Sequence, residues 1–301
     1  MVFNNHLHLE INLRLTVAGL PIELPGDSSE YNFDFSACHQ KFVGLPQNSL
    51  TFESNSIHPL KFSLLPDSAG FELEKEKLIY RNEIFEVRRE KNGSLVFTQP
   101  LQEPRSWIFI EPSFEDGKIV CDAKPVGKVV DYPLKYIDIV IFSNWLANYG
   151  DLLLHASGII WEGEGYCFIG HSGVGKSTLV RDLREKHGLT VMGEDQIALR
   201  KLDDRLMVFG TPWHETQQMC DYGGVPLKKI FFLNREAKQV VSRVDGSAAV
   251  LRLLETAFYP LYRPEIIGGI MDRLIGLNDR VGFFELAYER GSDVLTEILK
   301  A

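Results

Sequence analysis

Alternating apolar and polar residues dominate the beginning of the chain. From position 7 to position 17 every second residue is apolar, which predicts a strand with one buried and one solvated face. The segments 83–88 and 94–98 flank Asn92-Gly93, a pair that tolerates the positive φ of a tight turn and predicts a hairpin. Residues 107–110 predict another short strand. We therefore expect the first part of the chain to be rich in β-structure.

The period of the pattern changes near residue 131. Pro133 suits the first turn of a helix, and Gly150 suits a left-handed helix end. Between them apolar residues recur at spacings of three and four, as one buried stripe requires: Leu134, Ile137, Ile141, Trp145 and Tyr149. We place a domain boundary here, with a β-rich N-terminal domain of unknown role at 1–130 and a second domain at 131–301.

The second domain alternates strand and helix patterns, which predicts an α/β fold. Apolar runs of strand length are followed by a loop, a helix over about 177–186 and a further strand that ends at Gly193-Glu194-Asp195. The predicted strands before and after that helix are 152–155, 158–161, 166–169 and 189–192. Three more helices are predicted at about 247–259, 264–279 and 292–300.

The amino-acid composition indicates which class of protein this is. The 301 residues are 45% hydrophobic and 24% charged, as in a globular protein, and the net charge of −9 argues against a general nucleic-acid binder. The four cysteines form no C-x-x-C pair, and no apolar run is long enough to span a membrane, so we expect a cytoplasmic protein. His6, His8 and Glu10 share the wet face of the first strand, an arrangement that strand alternation produces without any metal.

A glycine-rich loop carries the strongest chemical signal. Gly170-His171-Ser172-Gly173-Val174-Gly175-Lys176-Ser177 follows a predicted strand and opens a predicted helix, the context of a phosphate-binding (Walker A) loop. Its glycines let backbone N–H groups converge on an anion, and the helix start, including Thr178, adds further donors. Lys176 is expected to contact the β- and γ-phosphates, and the Ser177 hydroxyl to bind Mg²⁺.

Glu194 and Asp195 provide the carboxylates that this chemistry needs. They follow the strand after the loop's helix, at the sheet end where ligands of open α/β sheets bind. One of them can help to hold Mg²⁺, and one can accept the proton of a hydroxyl. The sequence does not decide which carboxylate holds Mg²⁺ and which accepts the proton.

Together these motifs resemble the HPr serine kinase family. The resemblance covers about 131–301 and rests on three features: His155 fifteen residues before Gly170, the phosphate loop, and the acidic pair after the next strand. It is closest to HPr-kinase-related proteins with a β-rich N-terminal half, some of which belong to lasso-peptide clusters. The shared segments are Leu153-Leu154-His155-Ala156-Ser157, Pro212-Trp213-His214 and Phe231-Phe232-Leu233.

The resemblance implies a P-loop kinase domain of the HPr kinase/phosphoenolpyruvate carboxykinase-like type. It implies that the first acid acts on the acceptor hydroxyl, that Asp195 and Ser177 hold Mg²⁺, and that His155 lies close by. The chain has Glu194-Asp195 where the family has Asp-Asp, and the family's glycine-rich segment after the acids is replaced by 210–215. HPr is therefore not the expected substrate.

His214 is a candidate for contact with the substrate or phosphate. Phosphoryl transfer also needs a cation at the γ-phosphate, for which the candidates are Arg243, Arg252 and Arg263. The sequence does not choose among these three arginines.

The sequence thus predicts a serine kinase that uses ATP and Mg²⁺. Its acceptor would be a hydroxyl, preferably of serine, on a small protein, a peptide or an amino acid, with neither nucleic acid nor membrane as partner. Two alternatives stay open: a non-catalytic nucleotide-binding regulator, and a carboxykinase- or phosphorylase-like activity on a small acid. Homo-oligomer formation and a reverse phosphorylase activity are also left open.

Overall fold

The computed structural model describes residues 13–24, 32–44, 58–66, 77–99, 106–121, 129–131, 134–214, 219–235, 241–277 and 280–301. Within these ranges the chain is a mixed α/β protein with two large sheets and one small sheet. No helix in the described ranges is long and apolar enough to cross a membrane. The N-terminal trio of His6, His8 and Glu10 lies outside them.

Strands account for most of the described structure before residue 132. The elements are β1 (Leu13–Val17), β2 (Leu20–Leu24), β3 (Asn32–Asp34), α1 (Ala37–Gln40), β4 (Leu60–Pro66), β5 (Lys77–Arg81), β6 (Glu86–Arg89), β7 (Leu95–Thr98), β8 (Ser106–Ile110), β9 (Asp116–Cys121) and β10 (Val129–Asp131). Eight of them form one sheet in the order β1-β2-β4-β9-β8-β7-β6-β5, and β10 pairs with β3.

The predicted hairpin joins β6 to β7. Glu90 donates its N–H to Ser94 O over 3.0 Å, and Gly93 has a φ of +92° in the loop between them. A positive φ is unfavourable for a residue with a Cβ atom, so Gly93 permits this turn. The predicted strand at 107–110 is also present, as β8.

The helix expected from Pro133 begins later. Residues 134–137 form turns, and α2 (Asp138–Asn148) starts where the Asp138 carboxylate accepts the Ile139 N–H over 2.9 Å. The helix ends as predicted, with Gly150 at a φ of +68°. The first four residues of the predicted stripe are buried, whereas Tyr149 at its end is exposed.

The second half of the chain alternates strands and helices. Its elements are β11 (Leu152–Trp161), β12 (Glu164–Ile169), α3 (Lys176–His187), β13 (Thr190–Gly193), β14 (Gln196–Leu202), β15 (Arg205–Gly210), β16 (Gly224–Leu233), β17 (Val241–Arg243), α4 (Gly246–Thr256), β18 (Ala257–Phe258), α5 (Ile267–Ile275), β19 (Gly282–Leu286) and α6 (Leu295–Lys300). The three predicted C-terminal helices are present but shorter than expected, and 257–258 pairs as a strand instead.

The second large sheet positions the glycine-rich loop. Its order is β12-β11-β14-β15-β16-β19-β17, and β12 also pairs with β16 in parallel. The two apolar runs predicted at 152–155 and 158–161 form one continuous strand, β11. That strand pairs with β12, β13, β14 and β18, so the residues that follow β12 and β13 meet beside it.

One hydrophobic cluster joins the two halves of the chain. It combines Leu15 and Phe97 from the first sheet with Phe142 and Trp145 from α2 and Phe209 from the second sheet. All five side chains are buried. The division at residue 131 stays a prediction about folding units, and the two parts share this core.

Candidate functional site

The glycine-rich loop lies between a strand and a helix, as the sequence predicts. β12 ends at Ile169, and α3 begins at Lys176. Gly173 and Gly175 have φ values of +76° and +113°, which strain any residue with a Cβ atom. A Cβ atom on Gly170 would lie 2.9 Å from Val174 Cγ1. All three glycines of the loop are therefore required by its shape.

The Lys176 side chain is buried beneath this loop. Its ammonium donates to Gly170 O over 2.7 Å and to His171 O over 3.2 Å, and it lies 3.1 Å from His155 Nε2. Burial lowers the pKa of Lys176, and the charge of Asp195 opposes that effect. The Lys176 ammonium thus donates to two loop carbonyls, and phosphate oxygens can replace these carbonyls as hydrogen-bond acceptors.

His155 connects Lys176 to Asp195. The strand register pairs His155 with Gln196, and His155 Nδ1 lies 3.0 Å from Asp195 Oδ1. A lysine ammonium can only donate, so Nε2 accepts from Lys176 and Nδ1 carries the proton given to Asp195. That hydrogen bond is the main reason why the pKa of Asp195 is lowered. A continuous chain of hydrogen bonds therefore links Asp195, His155 and Lys176.

The Glu194 carboxylate faces a different partner. Its Oε2 accepts from Arg181 Nε over 3.1 Å and from Arg181 Nη2 over 2.6 Å, while the side chain is only 3% exposed. Its backbone carbonyl accepts from the hydroxyls of Ser157 and Ser177. Glu194 Oε1 is buried and has no hydrogen-bond partner among the described residues. One carboxylate oxygen is therefore fixed by Arg181, and the other keeps its capacity to accept a hydrogen bond.

A cavity of about 550 Å³ opens beside these groups. Its wall combines the start of α3, the acidic pair, the loop after β15, the segment before α2 and helix α1 of the first half. The residues are Ser36, His39, Lys135, Tyr136, Asp138, Ser177, Arg181, Glu194, Asp195, Pro212, Trp213 and His214. This volume suits a small molecule or one residue of a peptide.

His214 is enclosed in the wall of this cavity. Burial lowers its pKa to about 4, so the ring is neutral at physiological pH. Its Nε2 lies 3.3 Å from Thr211 Oγ1, and a Cβ atom on Gly193 would lie 2.8 Å from the same nitrogen. The glycine before the acidic pair thus makes room for the imidazole.

An arginine also contacts the tip of the phosphate loop. Arg235 follows β16 and donates from Nε to Val174 O and from Nη2 to Gly173 O, each over 3.0 Å. The side chain is exposed. It is a cation that holds two carbonyls of the loop in place.

Comparison with known proteins shows a distant structural likeness. No family model matches the chain, and no curated protein matches it. Among solved structures, the HPr(Ser) kinase/phosphatase from Coxiella burnetii is similar at 12% identity and a TM-score of 0.32, over 49% of this chain and 86% of that chain. A likeness at this level establishes neither a shared fold nor a shared function, so the functional argument depends on the site itself.

The predicted magnesium ligands lie on one wall. Ser177 and Asp195 both line the cavity, and Asp195 is kept ionised by its lowered pKa. Within the described ranges there is no cluster of three or more His, Cys, Asp or Glu side chains that could hold a metal. Mg²⁺ commonly takes one or two protein oxygens together with phosphate oxygens and water, so this sparse donor set fits it.

The three arginines predicted as cations for the γ-phosphate do not line this cavity. Arg263 is buried and donates to Asn144 O and Asn148 Oδ1. Arg252 pairs with Glu285 across 3.3 Å, and Arg243 lies in β17, a strand beside β19. Sequence reasoning missed two cations that do lie at the site, Arg181 and Arg235.

The positions of both arginines in the sequence could have indicated that they lie at the site. Arg181 is four residues after Ser177, which places the two on one face of a helix. Arg235 follows a strand parallel to β12, so it reaches the same sheet end as the loop. Ser36 and His39 had no such signal, because they reach the cavity from the first sheet's side of the molecule.

Proposed function

We propose that the protein is an ATP- and Mg²⁺-dependent kinase that phosphorylates a hydroxyl, preferably of serine, on a small protein, a peptide or an amino acid. One observation carries the proposal. The buried Glu194 carboxylate, one oxygen of which has no hydrogen-bond partner among the described residues, lies on the same cavity wall as Ser177 and Asp195. Asp195 is linked through His155 to the lysine of the phosphate loop. The presence of two acids at this position weighs against a module that binds nucleotide without turnover.

Binding of the nucleotide would begin at the phosphate loop. The amides of 170–178 and the N-terminus of α3 face the phosphates, and Lys176 exchanges its loop carbonyls for phosphate oxygens. Ser177 and Asp195 would hold Mg²⁺, which supplies charge to stabilise the γ-phosphate as it transfers. His155 keeps Asp195 ionised and oriented through the hydrogen bond from Nδ1.

Proton transfer would then use Glu194. The acceptor hydroxyl donates to Glu194 Oε1, its oxygen forms a bond to the γ-phosphorus, and the bond from that phosphorus to the β–γ bridging oxygen breaks. The proton passes to Glu194, and ADP leaves. Asp195 is less suited to this step, because Oδ1 is bonded to His155 and Oδ2 accepts from Gln196 over 3.2 Å.

The test is consumption of ATP with candidate acceptors, with phosphorylated product identified by mass spectrometry. Lys176→Ala should lower kcat/KM by about 100-fold or more, because it removes a cation from the transferring group. Lys228→Ala is the matched control, since Lys228 is exposed and pairs with Glu164 outside the cavity. Unchanged turnover in Lys176→Ala would overturn the proposal.

Two other outcomes would point to different functions. Tight nucleotide binding without product from any acceptor would indicate a regulator. Nucleotide-dependent release of CO₂ or phosphate without a hydroxyl acceptor would indicate carboxykinase- or phosphorylase-like chemistry.

A further inference from the structure

A serine, a histidine and an aspartate form a second chain of hydrogen bonds on the cavity wall. Ser36 Oγ lies 2.7 Å from His39 Nδ1, and His39 Nε2 lies 2.7 Å from Asp138 Oδ2. All three residues line the cavity, but they come from α1 with its N-cap and from the start of α2, not from the phosphate loop. The proposed kinase chemistry uses none of them.

The aspartate of this chain is firmly held. Asp138 is 1% exposed, and both of its carboxylate oxygens accept hydrogen bonds, Oδ1 from the Ile139 N–H over 2.9 Å and Oδ2 from His39. A carboxylate can only accept, so His39 Nε2 carries the proton that it donates to Asp138. Asp138 therefore fixes both the orientation and the tautomer of the imidazole.

The other ring nitrogen faces the serine. With the proton on Nε2, Nδ1 of the neutral imidazole accepts from the Ser36 hydroxyl. Ser36 is also the N-cap of α1, where its oxygen accepts the His39 N–H over 3.3 Å. A hydroxyl has one proton and two lone pairs, so it can cap the helix and donate to the imidazole at the same time. Ser36 is exposed, and a base lies within hydrogen-bond distance of it.

The roles in this chain are those of nucleophile, base and orienting acid. The combination recurs on unrelated folds and is recognised by its geometry rather than by its place in the sequence. A hydroxyl whose proton can pass to an imidazole attacks electrophilic carbon far more readily than a free serine does. A structural link between α1 and α2 is complete with His39 and Asp138 alone, whereas the third member presents its hydroxyl on the cavity wall.

We infer that Ser36 is the nucleophile of a second reactive centre, which takes the acyl group of a small carboxylic ester. Ser36 Oγ forms a bond to the ester carbonyl carbon, its proton passes to His39 Nδ1, and the alcohol leaves with that proton as its bond to the carbon breaks. Water then attacks the acyl carbon and gives a proton to His39. The bond to Ser36 Oγ breaks, Ser36 regains that proton, and the carboxylic acid is released.

The experiment uses the full chain without ATP or Mg²⁺, so its result does not depend on the proposed kinase function. The probes are p-nitrophenyl acetate, followed by the release of p-nitrophenol, and a fluorophosphonate, whose adduct is located by digestion and mass spectrometry. The adduct should lie on Ser36. Ser247 is the internal control, because it is an exposed serine whose hydroxyl donates to the Asp245 carboxylate instead of to an imidazole.

Variants test the roles of the three residues. His39→Gln should lower the maximal rate of modification by about 100-fold or more, with the affinity for the probe little changed, because this is the usual contribution of a general base. Asp138→Asn should lower the same rate by about tenfold or more, because an amide does not select the required tautomer. Ser36→Asn keeps a favourable helix cap but has no nucleophile, so it should give no adduct at this position. His187→Gln is the matched control, since His187 pairs with Asp293 over 2.9 Å outside the cavity wall.

The mapping on the wild-type chain decides the question even where a variant fails to fold, and thermal denaturation followed by circular dichroism identifies such a variant. No adduct on Ser36, or equal labelling of Ser36 and Ser247, would overturn the inference. An unchanged maximal rate in a folded His39→Gln would mean that His39 only joins α1 to α2. Ester hydrolysis at the wild-type rate in Ser36→Asn would also overturn it. Each of these results would leave the kinase proposal standing.

Discussion

The guanidinium of Arg181 holds the Glu194 carboxylate from one side only. Both contacts, 2.6 Å and 3.1 Å long, go to Oε2, whereas Oε1 is buried and has no hydrogen-bond partner among the described residues. Arg181 lies on α3, four residues after Ser177, so the helix that is proposed to bind phosphate also orients the carboxylate. Arg181 is thus a positioning residue for the proposed proton acceptor.

Replacement of Arg181 should affect catalysis more than binding. We expect Arg181→Ala to lower kcat by about 10- to 100-fold, because the loss of an orienting partner has effects of this size, while nucleotide affinity changes little. Arg181→Lys should be intermediate, since an ammonium cannot make the two-point contact. Steady-state kinetics and nucleotide titration measure both quantities. Arg184→Ala, on the same helix but outside the cavity wall, is the control; an equal loss there would contradict the assignment.

His155 should control the acid limb of the pH–rate profile. Its hydrogen bond lowers the pKa of Asp195, so His155→Gln should let that pKa rise toward its ordinary value. If ionised Asp195 holds Mg²⁺, activity will then be lost at a higher pH than in the wild type as the solution is acidified. A profile of kcat/KM against pH at saturating Mg²⁺ measures the shift. An acid limb that stays in place would show that Asp195 does not set it.

Local signals in the sequence were sufficient to predict the glycine-rich loop and its place between a strand and a helix. The loop glycines, the preceding strand and the following helix are adjacent in the chain, and the structure has them in that arrangement. The proximity of His155 to the acidic pair was implied only by the family resemblance. The register of β11 against β14, which the sequence did not predict, brings His155 to Asp195.

The part of the cavity wall that comes from the first half of the chain could not be predicted in the same way. His39 lies on the short helix α1 and pairs with Asp138, 99 positions later in the chain. No periodicity or spacing links the two, because the contact depends on how the first sheet packs against α2 through the shared core. The start of α2 was also predicted too early. A proline marks only a possible helix start, and in the structure residues 134–137 form turns, so the helix begins after them.

Gly193 should not tolerate a methyl group. A Cβ atom there would lie 2.8 Å from His214 Nε2 and 3.0 Å from Gln196 O, and the second neighbour is backbone that cannot move freely. We expect Gly193→Ala to lower the free energy of unfolding by about 1–3 kcal/mol, as overpacking of a core does. Gly268→Ala is the control, because nothing lies within 4 Å of its Cβ position on a helix. Urea denaturation of both variants should show a loss only in the first.

His214 should make the protein less stable in mild acid. Its pKa is lowered to about 4 by burial, whereas an unfolded histidine has a pKa of about 6.5. Between these values the unfolded chain binds a proton that the folded chain excludes, so the free energy of unfolding falls as pH falls from about 6.5 to about 4. The difference of about 2.5 units corresponds to about 3 kcal/mol.

A variant isolates this contribution. His214→Gln keeps a polar side chain near Thr211 but does not titrate, so its free energy of unfolding should depend less on pH in that interval than that of the wild type. His171→Gln, at an exposed loop position, should keep the wild-type dependence. Guanidinium denaturation at pH 7 and pH 4.5 gives both comparisons. The same pH dependence in wild type and His214→Gln would mean that His214 is protonated as readily in the folded protein as in the unfolded chain.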